Sequence, residues 1–215
     1  MVEAEILQGR RTIWAKPFAL FVIVNLLFYI GASLIHFTGF STPAAIHSTL
    51  SPYHSFAAEL FASQAAANGV SLESYMADFD ALVPSVAKTM PFLFAVTLPV
   101  WLAVLFWRRR RYMLEHFYVA LMWTTRMLLI VLLLNVAFSL AVTHAHLPLP
   151  LGYDGTTSLL LALALAWTWY GTFRRVYAVT PIVAVTAALL STIAFMATLI
   201  LIYRPVLMLV TVLLL

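Results

Sequence analysis

The chain contains no cysteine, which excludes disulfides, thiolate metal sites and a cysteine nucleophile. Charge is scarce as well: Asp, Glu, Lys and Arg make up 9% of the 215 residues, against roughly a quarter of a globular domain. Acidic residues are the fewer sign, eight against twelve basic ones. Catalytic signatures are also lacking: there is no GxSxG, no phosphate-binding glycine-rich loop, no GxGxxG and no HExxH. Each of these marks a site only through the backbone geometry or ligand spacing it imposes. Their absence leans the reading away from an enzyme, and no cofactor is expected.

What is abundant is apolar sequence, at 64% of residues. A span of the bilayer core takes about 20 apolar residues, and five runs approach or exceed that length. They cover residues 17–37, 89–107, 117–142, 158–173 and 181–203. The expected fold class is therefore all-α: a polytopic transmembrane helix bundle of about five spans, forming a single integral domain over 1–215. Pro17 stands at the first position of span one, where its missing N–H leaves no bond unmade. The run continues past Gly31-Ala32-Ser33, so it reads as an uncleaved helix and not as a signal peptide. Pro99 falls inside span two, where it loosens the hydrogen-bond ladder. Arg204-Pro205 is expected to interrupt span five before an apolar tail, Val206 to Leu215, too short to cross as a helix.

The basic residues set the topology. Arg10, Arg11 and Lys16 precede span one, Arg108 to Arg111 separate spans two and three, and Arg174 and Arg175 separate spans four and five. Lys and Arg accumulate on the cytoplasmic side. That places the N-terminus in the cytoplasm, segments 38–86 and 144–157 outside, and the C-terminus outside. Trp14, Trp107, Tyr112, Trp169, Tyr170 and Tyr177 then fall at the inner boundary, as an aromatic belt would. The same clusters lie in juxtamembrane turns, so lipid phosphates are the expected neighbours and nucleic acid is not. Two hairpins turn through similar sequences, Arg110-Arg111-Tyr112 and Arg174-Arg175-Val176-Tyr177, a faint repeat that positive-inside turns alone would produce.

The outer segment, 38–86, reads as a two-helix cap. Leu72, Tyr75, Met76, Phe79, Leu82 and Val83 recur at helical spacing, with Glu73 and Asp80 on the opposite face and Ser71 as N-cap. Upstream, Ser51-Pro52 opens a shorter helix with Phe56, Leu60 and Phe61 on one side and Asn68-Gly69 as its stop.

Few residues inside the spans invite chemistry. Arg126 is the one charge well inside an apolar run, and an intramembrane ionisable residue is a functional candidate by default. It also lies within snorkelling reach of the inner interface. Asn25 and Asn135 are expected to hydrogen-bond between helices, and Ala184, Ala188 and Ser191 form a small-residue stripe suited to close packing. Five of six histidines lie on the outer side or at its edge, and His144-Ala145-His146 is a weak candidate for a metal pair.

Two segments carry a resemblance. The run Gly9-Arg10-Arg11 to Pro17-Phe18 resembles the opening of a bacterial membrane family, with its Gly-basic-Arg approach and Pro-Phe pair. Arg109-Arg110-Arg111-Tyr112, then Glu115-His116 and Val119-Ala120-Leu121, resembles the same family's basic-Tyr, Glu-His and Phe-Ala-Leu sequence entering its central helix. The family is domain of unknown function 3667. The chain departs from it in lacking the zinc-ribbon-like N-terminal segment of many members, and in having Met122 and Thr124 where many have histidines. The resemblance implies that Arg111, Tyr112, Glu115 and His116 are the residues to test first. An Arg111/Glu115 pair and a Tyr112/His116 pair, each four apart, also suit a simple helix start.

Three functions fit these observations. The first is a non-enzymatic scaffold or accessory subunit. It would contact anionic lipid, a membrane partner or another copy of itself through its outer cap and its cytoplasmic arginine clusters, with Arg108 to Arg111, Tyr112, Glu115 and His116 as the contact residues. The second is a small transporter or channel for an anionic solute or lipid, its path passing kinked span two and Arg126. The third is an enzyme or metal-dependent activity at the outer face.

Overall fold

The computed structural model describes residues 17–35, 40–109, 112–145 and 152–215. Arg10, Arg11, Trp14, Lys16, Arg110, Arg111 and His146 lie outside the described residues, as does the side chain of His144. The described residues form helices joined by short turns, with no strand among them. The chain is all-α.

In order, the helices are α1 (Pro17–Leu34), α2 (Ala44–Thr49), α3 (His54–Ala67), α4 (Leu72–Ala87), α5 (Pro91–Leu105), α6 (Met113–Ala145), α7 (Gly152–Val176), α8 (Pro181–Thr198) and α9 (Arg204–Leu214). A 3₁₀ turn, Trp107–Arg109, follows α5. Each of the five apolar runs holds a helix. Three stretches are long and apolar enough to cross a membrane: α1, the body of α6, and the continuous helix Pro181–Leu214. A fourth is added if α4 and α5 count together as one broken span. At 25 residues α7 is long enough, but Trp167, Thr168, Trp169, Tyr170 and Thr172 replace aliphatic residues along one half of it. The turn-rich segment expected to run to Thr157 already becomes helix at Gly152.

Span five is not interrupted at Arg204-Pro205. The helix widens into a π turn, Leu199–Tyr203, in which the Arg204 N–H donates to the Leu199 carbonyl five residues back, and then continues as α9. A π turn is a common way to take an insertion in the ladder. Pro205 follows it, where a normal turn would ask for an N–H that proline lacks.

The single domain read over 1–215 is organised as two compact units. The first comprises Met1–Phe37 and Phe94–Phe195. Its interior is a run of touching rings: Phe94 on Phe195, Phe195 on Trp123, Trp123 stacked on Trp169 at 4.1 Å, Trp169 on Phe173, and Phe173 against Phe106 and Tyr177. All seven are buried. Two tryptophans are tied across helices through ring N–H groups: Trp123 donates to Thr168 Oγ1 at 3.1 Å, and Trp101 to Ser191 Oγ at 3.2 Å. Between helices in lipid, close packing and such bonds replace the hydrophobic drive available in water. The stripe Ala184, Ala188 and Ser191 is buried as expected. α1 packs on α6, and a Cβ at Gly31 would lie 2.8 Å from Leu132 Cδ1, so this crossing needs the glycine or a shifted Leu132.

The second unit comprises Thr38–Leu93 and Met196–Leu215. The expected two-helix cap has three helices, because Ala44–Thr49 forms a short extra one. Ser71 is the N-cap of α4, its hydroxyl accepting from the Ser74 N–H at 3.1 Å. Asn68 and Gly69, the latter at φ +67°, end α3. On α3 the buried face is Ala57, Phe61 and Ala65, and Phe56 is 53% exposed. Small residues at i and i+8 around Phe61 let α3 lie close to α4, whose Tyr75 and Phe79 rings touch Phe61. The tail joins this unit too: Leu207, Met208, Thr211 and Val212 are buried, and α9 packs on α4 and α2.

Candidate functional site

The residues singled out around Arg108 converge at one end of the first unit. α5 ends at Leu105, the exposed Trp107, Arg108 and Arg109 follow, and α6 begins at Met113. The α7–α8 connection lies beside them. Phe106 and Tyr177 stack with ring centroids 4.0 Å apart, and His116 stacks on Tyr177 at 5.7 Å. The Tyr177 hydroxyl and His116 Nδ1 share a hydrogen bond of 2.7 Å. Two arginine-bearing turns far apart in sequence are thus joined through one tyrosine. Arg174 Nη1 donates to the Val179 carbonyl at 2.7 Å, closing the second turn. Ala178 between them sits at φ +49°, the left-handed position that often ends a helix.

The expected contact set is therefore divided by the fold. Arg108, Arg109 and Tyr112 face outward, with Tyr112 79% exposed, and Glu115 is half-buried in the first turn of α6, where a carboxylate suits the helix dipole. His116 is 3% exposed and turned into the core. The Tyr112 carbonyl accepts the His116 N–H, so these two residues meet through backbone, and the imidazole's partner is Tyr177. The likeness of the two hairpins ends here too, since Tyr112 is exposed and Tyr177 buried. Among the belt residues, Trp169 and Tyr177 need correction: both are core residues. The exposed tryptophans near this end are Trp107 and Trp167. Arg108 lies 5.6 Å from the Trp107 ring centroid, a cation–π pair, and Trp167 stacks with Tyr170.

Arg126 is half-buried on α6. Its neighbour Trp123 pairs with Thr168 of antiparallel α7, and Arg126 lies three residues farther from the Met113 end. A side chain lying level would meet α7 before Thr168. Instead, Nη1 donates to Thr172 Oγ1 at 3.4 Å, one turn back toward the arginine-rich end. That is the direction in which helical side chains lean and in which snorkelling would take a cation. Asn135 Nδ2 donates to the Val131 carbonyl at 2.8 Å, a bond within its own helix.

Of the outer histidines, His47 and His54 have described side chains, and each is bonded within its own surroundings. His54 Nδ1 donates to the Ser51 carbonyl at 3.1 Å. His47 is fully buried in the second unit, with Nδ1 2.9 Å from the Tyr53 hydroxyl and its ring edge-on to Phe79. Its Nε2 has no hydrogen-bond partner among the described residues. Burial, and then the charge of Arg204, hold the imidazole's pKa down at about 4, so it is neutral. Asp80 is also structural: its carboxylate accepts the Ala44 N–H at 2.8 Å, at the start of α2. No group of three or more potential metal ligands occurs among the described residues.

A second feature at the arginine end escaped sequence reasoning. A groove of about 350 Å³ opens between the end of α5 and α8, with Trp107, Arg108 and Arg109 at its mouth and Ile182, Val183, Thr186 and Leu190 along its wall. The i, i+4, i+8 spacing of Ile182, Thr186 and Leu190 was a visible signal, but one that α8 shares with any lipid-facing helix. No family model, curated protein or solved structure matches the chain.

Proposed function

We propose that the chain is a multi-pass membrane protein with its arginine-rich end in the cytoplasm, serving as a non-enzymatic scaffold or accessory subunit. Five spans follow if α5 and α7 cross along with the three most apolar stretches, and the convergence of Arg108, Arg109, Arg174 and Arg175 at one end of the first unit agrees with such a topology. The bacterial inner membrane is the location that the sequence resemblance suggests, and membership of the family of unknown function rests on that resemblance alone.

The observation that carries the scaffold reading is the filled interior. Trp123, Trp169, Phe173, Phe195 and Tyr177 occupy the space between α6, α7 and α8 that a solute path would need. Arg126 bonds the wall of α7 at Thr172. Such a core suits a rigid body that presents its surfaces to lipid and to a partner. The test is reconstitution into liposomes alongside purification from native membranes. Stoichiometric recovery of one membrane protein with the chain, and no flux of anionic solutes, is the expected result. Flux that is lost in Arg126→Ala would replace this reading with a transporter.

A further inference from the structure

The groove beside Arg108 and Arg109 combines two chemistries. Its mouth is cationic and aromatic, with Arg108 resting on the Trp107 ring, and both arginines and the indole are exposed. Its wall is apolar and runs along one face of α8 from Ile182 to Leu190. Eight residues of helix rise about 12 Å, close to the roughly 15 Å of hydrocarbon in one leaflet. A second groove, between α7 and α8, is lined by Leu163, Ala166, Trp167, Tyr170, Val185 and Leu189, with Ala188 at its base, and has no charge at all. It offers a chain nothing to orient on.

We infer that the Arg108/Arg109 groove binds an anionic phospholipid of the cytoplasmic leaflet. The phosphate lies against the two guanidinium groups, and one acyl chain lies along Ile182, Val183, Thr186 and Leu190. Arginine forks suit phosphate oxygens through paired N–H bonds. The cytoplasmic leaflet is the one rich in anionic lipid, and a basic residue near it is worth about a fivefold gain in binding. The tryptophan fits the same place, since indoles favour the headgroup level. The inference rests on the membrane reading above and names the ligand of its arginine end.

The experiment uses the full chain purified in mild detergent, with native mass spectrometry of bound phosphatidylglycerol and phosphatidylcholine in competition. Phosphatidylglycerol is expected to be preferred at least tenfold. Arg108→Gln/Arg109→Gln should reduce that preference to near unity. Thr186→Trp, which fills the apolar wall and leaves every topology charge in place, should reduce it as well, with both variants monodisperse on size exclusion. Equal binding of the two lipids by the wild-type protein, or a preference that survives both variants, would overturn the inference. Displacement of the lipid by millimolar glycerol 3-phosphate would also overturn it, because a site for the headgroup alone does not use the groove. Carbonate extraction of native membranes separates the two failures. A chain released by carbonate refutes the membrane reading, whereas a chain retained without lipid preference refutes only the lipid.

Discussion

The Tyr177 hydroxyl and His116 Nδ1 lie 2.7 Å apart, in side chains that are both buried, and this one bond joins the start of α6 to the turn after α7. Tyr177 also stacks on Phe106, so this one ring touches all three segments that carry the arginine end.

Replacing Tyr177 with Phe keeps both stacks and removes the hydroxyl. A buried polar nitrogen that loses its partner costs about 1–3 kcal/mol. Thermal unfolding in detergent should show that loss for Tyr177→Phe. His116→Leu/Tyr177→Phe should recover part of it, because the nitrogen left behind is gone as well. Equal stability of Tyr177→Phe and wild type would mean the bond contributes nothing.

Ala178 occupies the left-handed region at φ +49° without the freedom of glycine. That conformation costs an L-residue roughly 1–2 kcal/mol, and glycine gives back part of the difference through its more disordered unfolded chain. Ala178→Gly is expected to stabilise the protein by roughly 0.5–1 kcal/mol, and Ala178→Val to destabilise it. Both are read from unfolding midpoints at fixed detergent concentration.

Asp80 supplies α2 with the cap its own sequence lacks, since Pro43 precedes that helix and offers no side-chain acceptor. Losing an N-cap acceptor costs about 1 kcal/mol. Limited proteolysis within residues 40–50 should therefore accelerate several-fold in Asp80→Ala. Asp80→Asn, which keeps an oxygen at that position, should stay near the wild-type rate.

His47 makes the second unit sensitive to acid. Its folded pKa, about 4, lies below the ordinary value of 6.5, so the unfolded chain takes up the proton first. The stability this contributes is complete above pH 6.5 and declines as pH falls from 6.5 toward 4, by up to about 1.4 kcal/mol per pH unit. Burial sets the sign; Arg204 of α9 adds to it by opposing a second positive charge, a backbone hydrogen bond at Thr42 acts the other way, and the Tyr53 hydroxyl lies against Nδ1. The unfolding midpoint should drop between pH 6.5 and 4 in the wild type. His47→Phe should flatten that part of the profile; an unchanged slope would place the acid sensitivity elsewhere.

Much of the secondary structure was legible because its causes are local. Ser71 caps α4 and Asn68-Gly69 ends α3, as residues that set a dihedral or offer one hydrogen bond can dictate within a single turn. The same locality explains the misses. Composition alone cannot distinguish an interfacial tryptophan from a buried one, because the ring suits both, and so Trp169 and Tyr177 read as belt residues. Phe56 looked like core and Ala57 did not, but the face turned inward is the one that carries Phe61, with Ala57 and Ala65 one turn to either side.

By itself, the sequence determined an all-α chain with apolar helices at five places and basic residues in the turns between them. Hydrophobic runs, helix caps and scarce charges act on their immediate neighbours, whatever surrounds them. Tertiary structure alone decided which of the candidate residues remain at the surface. His116 was drawn inward by Tyr177, Asp80 was committed to the start of α2, and the tail after Pro205 was packed onto α4 and α2. Each of those outcomes depends on a partner between 36 and more than 100 positions away in the chain. A buried polar group needs its hydrogen bond, and an apolar face needs its cover, wherever the chain brings them together.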